Sequence, residues 1–326
     1  MINAQPAWVP ETAIAAGLGT DLFKIGNFEF RVYSFTMMLG FLCSILTIFY
    51  FWYRAGYKTE TLLTLIIITI PSSIMGARLG FLAERIIADG SLPARWWAIW
   101  EGGLSIQGGV LLALICDLIY GYVKRNEIDV RLAASLIIPT VLIGQVAGRW
   151  GNFANHEVYG KIDWSGQSVL IFGKAFASQM YISDATSNAY GLVGAYRYPL
   201  FLYEGIANLL GYLIIVWVLN FFGLTKPGTT AGLYLVWYGT VRLAMEPLRE
   251  ESYVFYTVLS AMFVAIGFIA FVYYQFFGAV KYIRFKEKYY YVYKYAQPEA
   301  YASHVNVTSI TYLYKKLYSK LLIKKA

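Results

Sequence analysis

Three arginines lie in segments of the chain that are otherwise apolar enough to cross a membrane: Arg78, Arg149 and Arg242. A charged side chain in hydrocarbon costs from about 2.5 to more than 10 kcal/mol, so such residues are rarely retained without a function. The guanidinium group is planar and always charged, and it donates two parallel hydrogen bonds, which suits it to phosphate. The abundant anion in a membrane is the phospholipid phosphodiester. We therefore predict that these arginines converge on a lipid headgroup.

A polar block, GRWGNFANHEVYG, follows the apolar segment that ends near Arg149. Its polar side chains supply several hydrogen-bond donors and one carboxylate just beyond the end of the predicted helix: Arg149, Asn152, Asn155, His156 and Glu157. We predict that the block forms the hydrated outer edge of the headgroup site. In this interpretation Arg149 binds the phosphate, and the asparagines and Glu157 orient it.

A second polar stripe occurs in YGTVRLAMEPLRE, where Tyr238, Arg242 and Glu246 are spaced at i, i+4 and i+8. This spacing places them on one helical face, as expected for a seam that faces other helices rather than lipid. Glu204 adds a carboxylate near the start of the preceding apolar segment. An alternative stays open for Arg242, which can form a structural pair with Glu246 one turn away.

The sequence leaves a second alternative open for the other two arginines. Arg149 lies at the end of an apolar segment and Arg78 within several residues of one, so both side chains can extend to the headgroup level without binding a substrate.

Glycines recur at the start of the third apolar segment, in WEGGLSIQGG from Trp100 to Gly109. Gly108 and Gly109 would let a ligand approach the backbone, and the N-terminus of a helix attracts anions. Glycine pairs in membrane helices also serve helix packing, so this alternative stays open here and for GARLG, Gly76 to Gly80.

Composition identifies the protein class. Of 326 residues, 58% are hydrophobic and 14% are charged, against roughly 25% charged residues in soluble domains. The sequence predicts an all-α, polytopic transmembrane helix bundle. Seven spans are expected, at about 33–53, 61–83, 104–123, 130–150, 199–221, 229–247 and 254–277. The span at 229–247 is the least regular, because it holds Arg242 and Glu246.

Basic residues indicate the orientation of the spans. Sixteen Lys and Arg fall on the side of the C-terminal tail and eight on the other, so the positive-inside rule predicts an external N-terminus and an internal C-terminus. The predicted domains are an external segment at 1–32, a seven-span catalytic domain at 33–277 with an outer loop at 151–198, and a basic, Tyr-rich tail at 278–326. We expect the tail to lie on the anionic inner leaflet and not to bind nucleic acid.

The quoted motifs, with YPLFLYEG around Glu204, occur in an order that resembles bacterial phosphatidylglycerol–prolipoprotein diacylglyceryl transferase. The resemblance covers roughly residues 30–275, and the G-R-x-G-N-F-x-N-x-E block is its most specific part. It implies transfer of the diacylglyceryl group of phosphatidylglycerol to the thiol of a lipobox cysteine in a prolipoprotein. The product is a thioether and the leaving group is glycerol 1-phosphate; the expected location is the bacterial cytoplasmic membrane, with the active site toward the outer leaflet.

The resemblance also implies the site residues. Arg149 and Arg242 match the two arginines on which the family depends. Other residues on family positions are Tyr33, Asn152, Glu157, Gly160, Tyr238 and Glu246. The expected partners are phosphatidylglycerol, prolipoproteins and membrane lipids. No cofactor or metal is expected, because the chemistry needs none and the chain has only two histidines.

The chain departs from the family pattern at two places. Gln107 stands where the family usually has histidine, so we include Gln107 among the catalytic positions and name His156 as the imidazole that could replace it. The alternative for His156, an exposed loop histidine at the membrane surface, stays open. Leu200 and Phe201 replace a polar pair in the block before Glu204. Two alternative functions remain: a catalytically silent lipid-binding protein that keeps the arginine clamp, and an anion or lipid transporter.

Overall fold

A computed structural model of the chain describes residues 14–15, 20–25, 28–93, 95–99, 103–250 and 252–323. Helices dominate these residues, so the predicted all-α membrane helix bundle is confirmed. The helices are α1 (Val32–Arg54), α2 (Thr59–Asp89), α3 (Ile106–Val123), α4 (Val130–Ile137), α5 (Val141–Ala154), α6 (Gln167–Leu170), α7 (Lys174–Gln179), α8 (Ala185–Ala189), α9 (Leu200–Gly211), α10 (Thr229–Met245), α11 (Val254–Val272), α12 (Pro298–Val307) and α13 (Ile310–Ile323). The strands are β1 (Ile14–Ala15), β2 (Asp21–Ile25), β3 (Phe28–Arg31), β4 (Tyr181–Ser183), β5 (Ala195–Tyr196), β6 (Tyr282–Glu287) and β7 (Tyr290–Tyr295).

Among the described residues, six helical segments are long and apolar enough to span a membrane: Val32–Arg54, Thr59–Asp89, Ile106–Val123, Val130–Ala154, Leu200–Leu219 and Val254–Phe277. At the position of the sixth predicted span, α10 has only 17 residues. That length is about 26 Å of helix, against about 30 Å of hydrocarbon. The seven-span count and the external N-terminus therefore stay predictions.

Three of the long segments change helix type along their length, one of them through a π-helical stretch, Tyr273–Phe277, that follows α11. A 3-10 turn, Ile138–Thr140, joins α4 to α5, because Pro139 has no N–H to continue the α-helical ladder. A π-helical stretch, Tyr212–Leu219, continues α9.

The chain divides into two compact units. The first comprises Met1–Ile48, Ala134–Ala279 and Arg284–Tyr291, and the second comprises Phe49–Ala133, Val280–Ile283 and Val292–Ala326. The predicted domain boundaries, at 32/33 and 277/278, stay predictions. Of the predicted external segment and the Trp100–Gly109 motif, positions 1–13, 16–19, 26–27 and 100–102 lie outside the described residues.

In the first unit, α5 packs against α9, α9 against α10 and α10 against α11. The outer loop folds into a small domain around a three-stranded sheet of order β1-β4-β5. Its apolar core is formed by Val169, Ala177, Met180, Ile182 and Phe201. Because Phe201 lies in the first turn of α9, the core of the outer domain is attached directly to a membrane helix.

In the second unit, α2 and α3 approach closely at glycines. A Cβ atom added to Gly76 would lie 2.4 Å from the carbonyl oxygen of Gly108, and one added to Gly80 would lie 2.8 Å from the Gly108 Cα. These glycines therefore serve helix packing, which was the alternative left open by the sequence. The contact of Gly108 and Gly109 with a ligand stays a prediction.

This packing gives a first prediction. Gly76→Ala places a methyl group against backbone atoms of α3, so the helices must separate. We expect a loss of about 1–3 kcal/mol, as for overpacking of a close-packed interior. A matched control is Gly121→Ala in α3, whose Cβ would lie 3.6 Å from Val130 in ordinary contact. The midpoint temperature of thermal unfolding in detergent should be lower for Gly76→Ala but not for Gly121→Ala. Equal midpoints for the two variants would contradict the close contact between α2 and α3.

Candidate functional site

The end of α5 lies within the polar block and forms a Schellman motif. The His156 N–H donates to the Phe153 carbonyl at 3.0 Å, and the Glu157 N–H donates to the Asn152 carbonyl at 2.8 Å. His156 has a φ of 52°, in the left-handed region that glycine usually occupies at this position. The turn directs the chain back, so that Glu157 lies beside the last turn of α5.

Side chains on either side of this turn form a chain of hydrogen bonds. Arg149 Nη1 donates to Asn152 Oδ1 at 3.1 Å. Asn152 Nδ2 then donates to one oxygen of Glu157 at 3.2 Å, and Asn155 Nδ2 donates to the other at 3.4 Å. The polar block therefore holds the Arg149 guanidinium in one orientation, and it does so with residues that the sequence analysis named.

Gly151 allows α1 to reach this turn. A Cβ atom at Gly151 would lie 2.5 Å from Thr36 Oγ1 and 2.8 Å from the ring of Tyr33. The predicted site residue Tyr33 is therefore packed against the end of α5. Its contact with a substrate stays a prediction.

A buried carboxylate, Glu204 in α9, is the centre of the charged groups in the first unit. Its side chain is 4% exposed, and one of its oxygens lies 2.5 Å from Arg149 Nη2. The other oxygen accepts a hydrogen bond from Arg249. Glu204 thus joins α5 to the segment that follows α10 through two charge-assisted bonds, which are the strong class of hydrogen bond.

The predicted stripe on α10 lies near this carboxylate. Arg242 and Glu246 are close enough to Glu204 for their charges to act on it. Arg242 Nη2 is 3.9 Å from Glu246, which is too long for a hydrogen bond, and the guanidinium carbon lies 5.7 Å from the centre of the Tyr256 ring. Tyr238 stacks on Tyr234 one turn earlier.

Several polar atoms of this cluster are buried without a hydrogen-bond partner among the described residues: Arg149 Nε, Arg242 Nη1 and both carboxylate oxygens of Glu246. Buried polar groups in folded proteins are almost always hydrogen-bonded. Two guanidinium groups that act on the same carboxylate and each keep an unpaired donor are therefore suited to an anionic ligand.

Gly160 positions Arg249 through the backbone. Gly160 and Arg249 form an isolated antiparallel bridge, and the Lys161 N–H donates to the Leu248 carbonyl at 2.8 Å. A Cβ atom at Gly160 would lie 2.4 Å from that carbonyl oxygen. Only glycine allows this approach, which explains in structural terms why a predicted site position carries no side chain.

Arg197, a buried arginine of the outer domain, stabilises the part of that domain that lies next to Arg249. It is fully buried and binds both Asp184 and, at 2.9 Å, Glu250. Tyr159 lies against its guanidinium, 5.5 Å from ring centre to Arg197 Cζ. Burial, together with the carboxylate of Asp184, raises the pKa of the Tyr159 phenol, which stays protonated at neutral pH.

The remaining predicted residues belong to the second unit. Arg78 is buried and donates three hydrogen bonds to carbonyl oxygens of the loop before α3, those of Arg95, Trp96 and Gly103, at 2.7–3.2 Å. These bonds hold the loop against α2 and do not depend on a substrate. Convergence of Arg78 with the other two membrane arginines stays a prediction.

Gln107 lies in the first turn of α3, and its side-chain oxygen accepts a hydrogen bond from Ser105 Oγ at 3.2 Å. Ser105 Oγ also donates to Glu84 at 2.6 Å and caps the helix. The role of Gln107 in catalysis stays a prediction.

Most of the residues that the sequence predicted belong to the first unit, and their role in a common site stays a prediction. Those residues are Tyr33, Arg149, Asn152, Asn155, His156, Glu157, Gly160, Tyr238, Arg242 and Glu246. Arg249 is a residue of this cluster that the sequence did not predict. The signal for it was Glu204, since a carboxylate inside a span needs a cation.

The departure at Leu200 and Phe201 has a structural explanation. Both side chains are fully buried, and the Phe201 ring stacks on Phe153 with 4.5 Å between centroids. Phe201 belongs to the core of the outer domain and Leu200 is buried near Gly160, so apolar side chains suit both positions. In the described ranges, no group of three His, Cys, Asp or Glu residues could hold a metal ion.

Comparison with known proteins gives consistent results. The model of the prolipoprotein diacylglyceryl transferase family matches residues 20–275. A phosphatidylglycerol–prolipoprotein diacylglyceryl transferase of Mycoplasmopsis pulmonis is 52% identical over 260 residues, which are 79% of this chain and 80% of the relative. Enzymes of the same name from Streptococcus agalactiae and Streptococcus suis are each 32% identical, over 77% and 76% of this chain and 93% and 88% of their own length.

The close approach at Gly160 gives a second prediction. Gly160→Ala forces Leu248 away and with it the Arg249 guanidinium from Glu204. Overpacking of this kind costs about 1–3 kcal/mol. We therefore expect the amount of anionic phospholipid retained by the purified protein to fall about tenfold, as measured by native mass spectrometry.

Gly144→Ala in α5 is the matched control, because its Cβ would lie 3.6 Å from Ser44 Oγ in ordinary contact. Equal lipid retention by both variants would show that the Gly160 contact does not organise the site.

Proposed function

The chain belongs to the prolipoprotein diacylglyceryl transferase family, and from this premise we propose that it transfers the diacylglyceryl group of phosphatidylglycerol to the thiol of a prolipoprotein. The enzyme is a transferase of lipoprotein biosynthesis and a multi-pass membrane protein. The acceptor is the lipobox cysteine, and the leaving group is glycerol 1-phosphate. The alternative of a catalytically silent lipid-binding protein is not favoured, given the identity with the named relatives.

One observation supports the assignment of the site: Arg149 and Arg242 act on the same buried carboxylate, and each keeps a buried donor without a partner among the described residues. The charges of the cluster support a specific ligand. Apart from Glu157, which lies at the exposed edge of the site, three guanidinium groups and two carboxylates leave one net positive charge, the sign that attracts a phosphodiester. These five residues are Arg149, Arg242, Arg249, Glu204 and Glu246.

The reaction needs this charge most in the transition state. The cysteine sulfur forms a bond to a glycerol carbon, and the bond from that carbon to the phosphate oxygen breaks. The electron pair leaves with the phosphate, which changes from a diester monoanion toward a monoester dianion. Arg149 and Arg242 would stabilise this growing charge, and fixed donors in a water-poor site are most effective at this step.

The other residues have supporting roles in this proposal. Asn152, Asn155 and Glu157 hold the Arg149 side chain at the edge of the site. Gly160 sets the position of Arg249, and Tyr238 supports the face of α10 that carries Arg242.

The contacts of the remaining predicted residues with substrate stay predictions, namely those of Tyr33, Arg78, Gln107, Gly108 and Gly109. For Arg78, the carbonyl contacts described above support a role in holding the loop.

The cysteine thiol needs a group to receive its proton, because its unperturbed pKa is about 8.5 and it is therefore mostly protonated at neutral pH. We assign this role to His156, which is half-buried beside Glu157 at the end of α5. We further propose that the site faces the outer leaflet of the bacterial cytoplasmic membrane. The support for this orientation is the excess of basic residues in the C-terminal tail and its side of the chain.

The clamp gives a third prediction. Arg149→Ala and Arg242→Ala should each lower transfer to a model prolipoprotein by about 10²–10³-fold or more, since each removes a fixed donor to the developing charge. The assay is the mobility shift of the prolipoprotein in cells depleted of their own transferase. Arg85→Ala is the matched control, an exposed arginine paired with Asp89 on α2. If wild type gave no shift although it was correctly inserted, the proposed activity would be wrong.

The assignment of His156 gives a fourth prediction. His156→Gly removes the imidazole but suits the left-handed backbone, so the end of α5 should be preserved or stabilised. We expect the rate of transfer to fall at neutral pH and to recover as the pH rises toward the pKa of the free thiol, because the thiol then ionises without a base. Unchanged transfer with unchanged thermal stability would exclude His156 as the proton acceptor.

A further inference from the structure

The C-terminal tail, residues 278–326, contains all of the net charge of the protein. It has ten Lys and Arg and two Glu, so its formal charge of +8 equals that of the whole chain. The tail also lies beyond residue 275, where the match to the family model ends. Its charge is therefore not explained by the site described above.

The first part of the tail is attached to the second unit by a polar and aromatic cluster. The Tyr282 hydroxyl donates to Asp129, and Arg131 Nε lies 2.9 Å from the same carboxylate. The Arg131 guanidinium lies over the ring of Tyr301, with 5.4 Å from Cζ to the centroid. Tyr301 in turn stacks on Tyr295, with 4.1 Å between centroids. The tail is thus a folded part of the protein.

Two further hydrogen bonds set the level of the tail relative to the span α3. Tyr122, in the last turn of α3, donates its hydroxyl to the Thr308 carbonyl at 2.7 Å. Arg125, two residues beyond α3, donates to the Val305 carbonyl at 3.0 Å. The end of α12 therefore lies where α3 ends, and α13 begins at Ile310 after two intervening residues. Because a span ends at the membrane surface, α13 begins at that surface.

The exposed residues of α13 combine apolar and basic side chains. Ile310 is 69% exposed, Tyr314 is 67% exposed, and Leu313 is 46% exposed. Lys315 and Lys316 follow directly and are also exposed. The spacing at positions 310, 313 and 314 is that of one helical face, and the sequence continues it with leucines at 317 and 321. Basic amphipathic helices of this kind bind in the plane of anionic membranes.

We propose that α13 binds the surface of an anionic phospholipid leaflet, with its apolar face in the acyl boundary and its lysines among the headgroups. The docked segment 282–308 holds it at that level. This binding is independent of the transfer reaction, because none of its residues belongs to the active-site cluster.

The test uses the full chain with Cys43→Ala and Cys116→Ala, reconstituted in bilayer nanodiscs. An environment-sensitive fluorophore is attached at Leu313→Cys, and in a second preparation at Ile310→Cys. The lipid is phosphatidylcholine alone or an equal mixture with phosphatidylserine, which is anionic but is not the proposed donor lipid. Nitroxide groups on the acyl chains act as quenchers.

We expect both labels to be quenched in the anionic bilayer, and less so at raised salt. The double substitution Lys315→Gln, Lys316→Gln should lower the ratio of bound to free helix roughly 30-fold. Each lysine near an anionic surface contributes about 1 kcal/mol to binding, which is about a fivefold change in this ratio. Lys24→Gln with Lys174→Gln removes the same charge elsewhere and should change nothing.

Labels at both positions that stay unquenched in the anionic bilayer would overturn the proposal. So would labels that respond to added RNA but not to anionic lipid, because the surface would then be a nucleic-acid site. A chain that shows the lipid response but no transfer would refute the proposed function and leave this inference intact.

Discussion

The rest of the site depends on one buried carboxylate that is shared by two arginines. Glu204 binds Arg149 from α5 with one oxygen and Arg249 from the segment after α10 with the other. A buried ion pair of this kind adds little net stability, but removal of one partner costs about 3–5 kcal/mol, because a charge is left buried and unpaired. Glu204 therefore determines where Arg149 lies, and its negative charge offsets part of the repulsion that Arg149, Arg242 and Arg249 would otherwise exert on one another.

The groups around Glu204 are positioned by backbone contacts that tolerate no side chain. Gly160 lets the backbone of the outer loop approach Leu248, which brings Arg249 toward the carboxylate of Glu204. Gly151 lets α1 bring Tyr33 to the end of α5. The Schellman motif at His156 folds Glu157 back onto Asn152. In each case the constraint is on backbone geometry, and the chemical groups of the site follow from it.

The charges of the protein are distributed unevenly along the chain. Leaving out the C-terminal tail, residues 1–277 contain equal numbers of basic and acidic residues. In this part several charges are paired: Arg149 and Arg249 with Glu204, and Arg197 with Asp184 and Glu250. The excess positive charge lies in the tail, outside the region that matches the family. A neutral bundle suits the hydrocarbon, whereas an exposed basic helix suits an anionic surface.

The sequence alone determined the class of the fold, and it predicted most of the long apolar helices and the residues of the candidate site. Apolar runs of spanning length and the cost of charge in hydrocarbon are local properties, so the spans and the arginines within them could be recognised without a structure. Helical periodicity also places Tyr238, Arg242 and Glu246 on one face, because they are spaced four residues apart. The tertiary structure alone decided the partners. It paired Glu204 with Arg249 across 45 residues. It gave Arg78 three carbonyl oxygens of a loop as acceptors. It also buried Leu200 and placed Phe201 in the core of the outer domain. Periodicity reports which face of an element is polar, but the contacts between elements distant in sequence depend on packing, which no local pattern encodes.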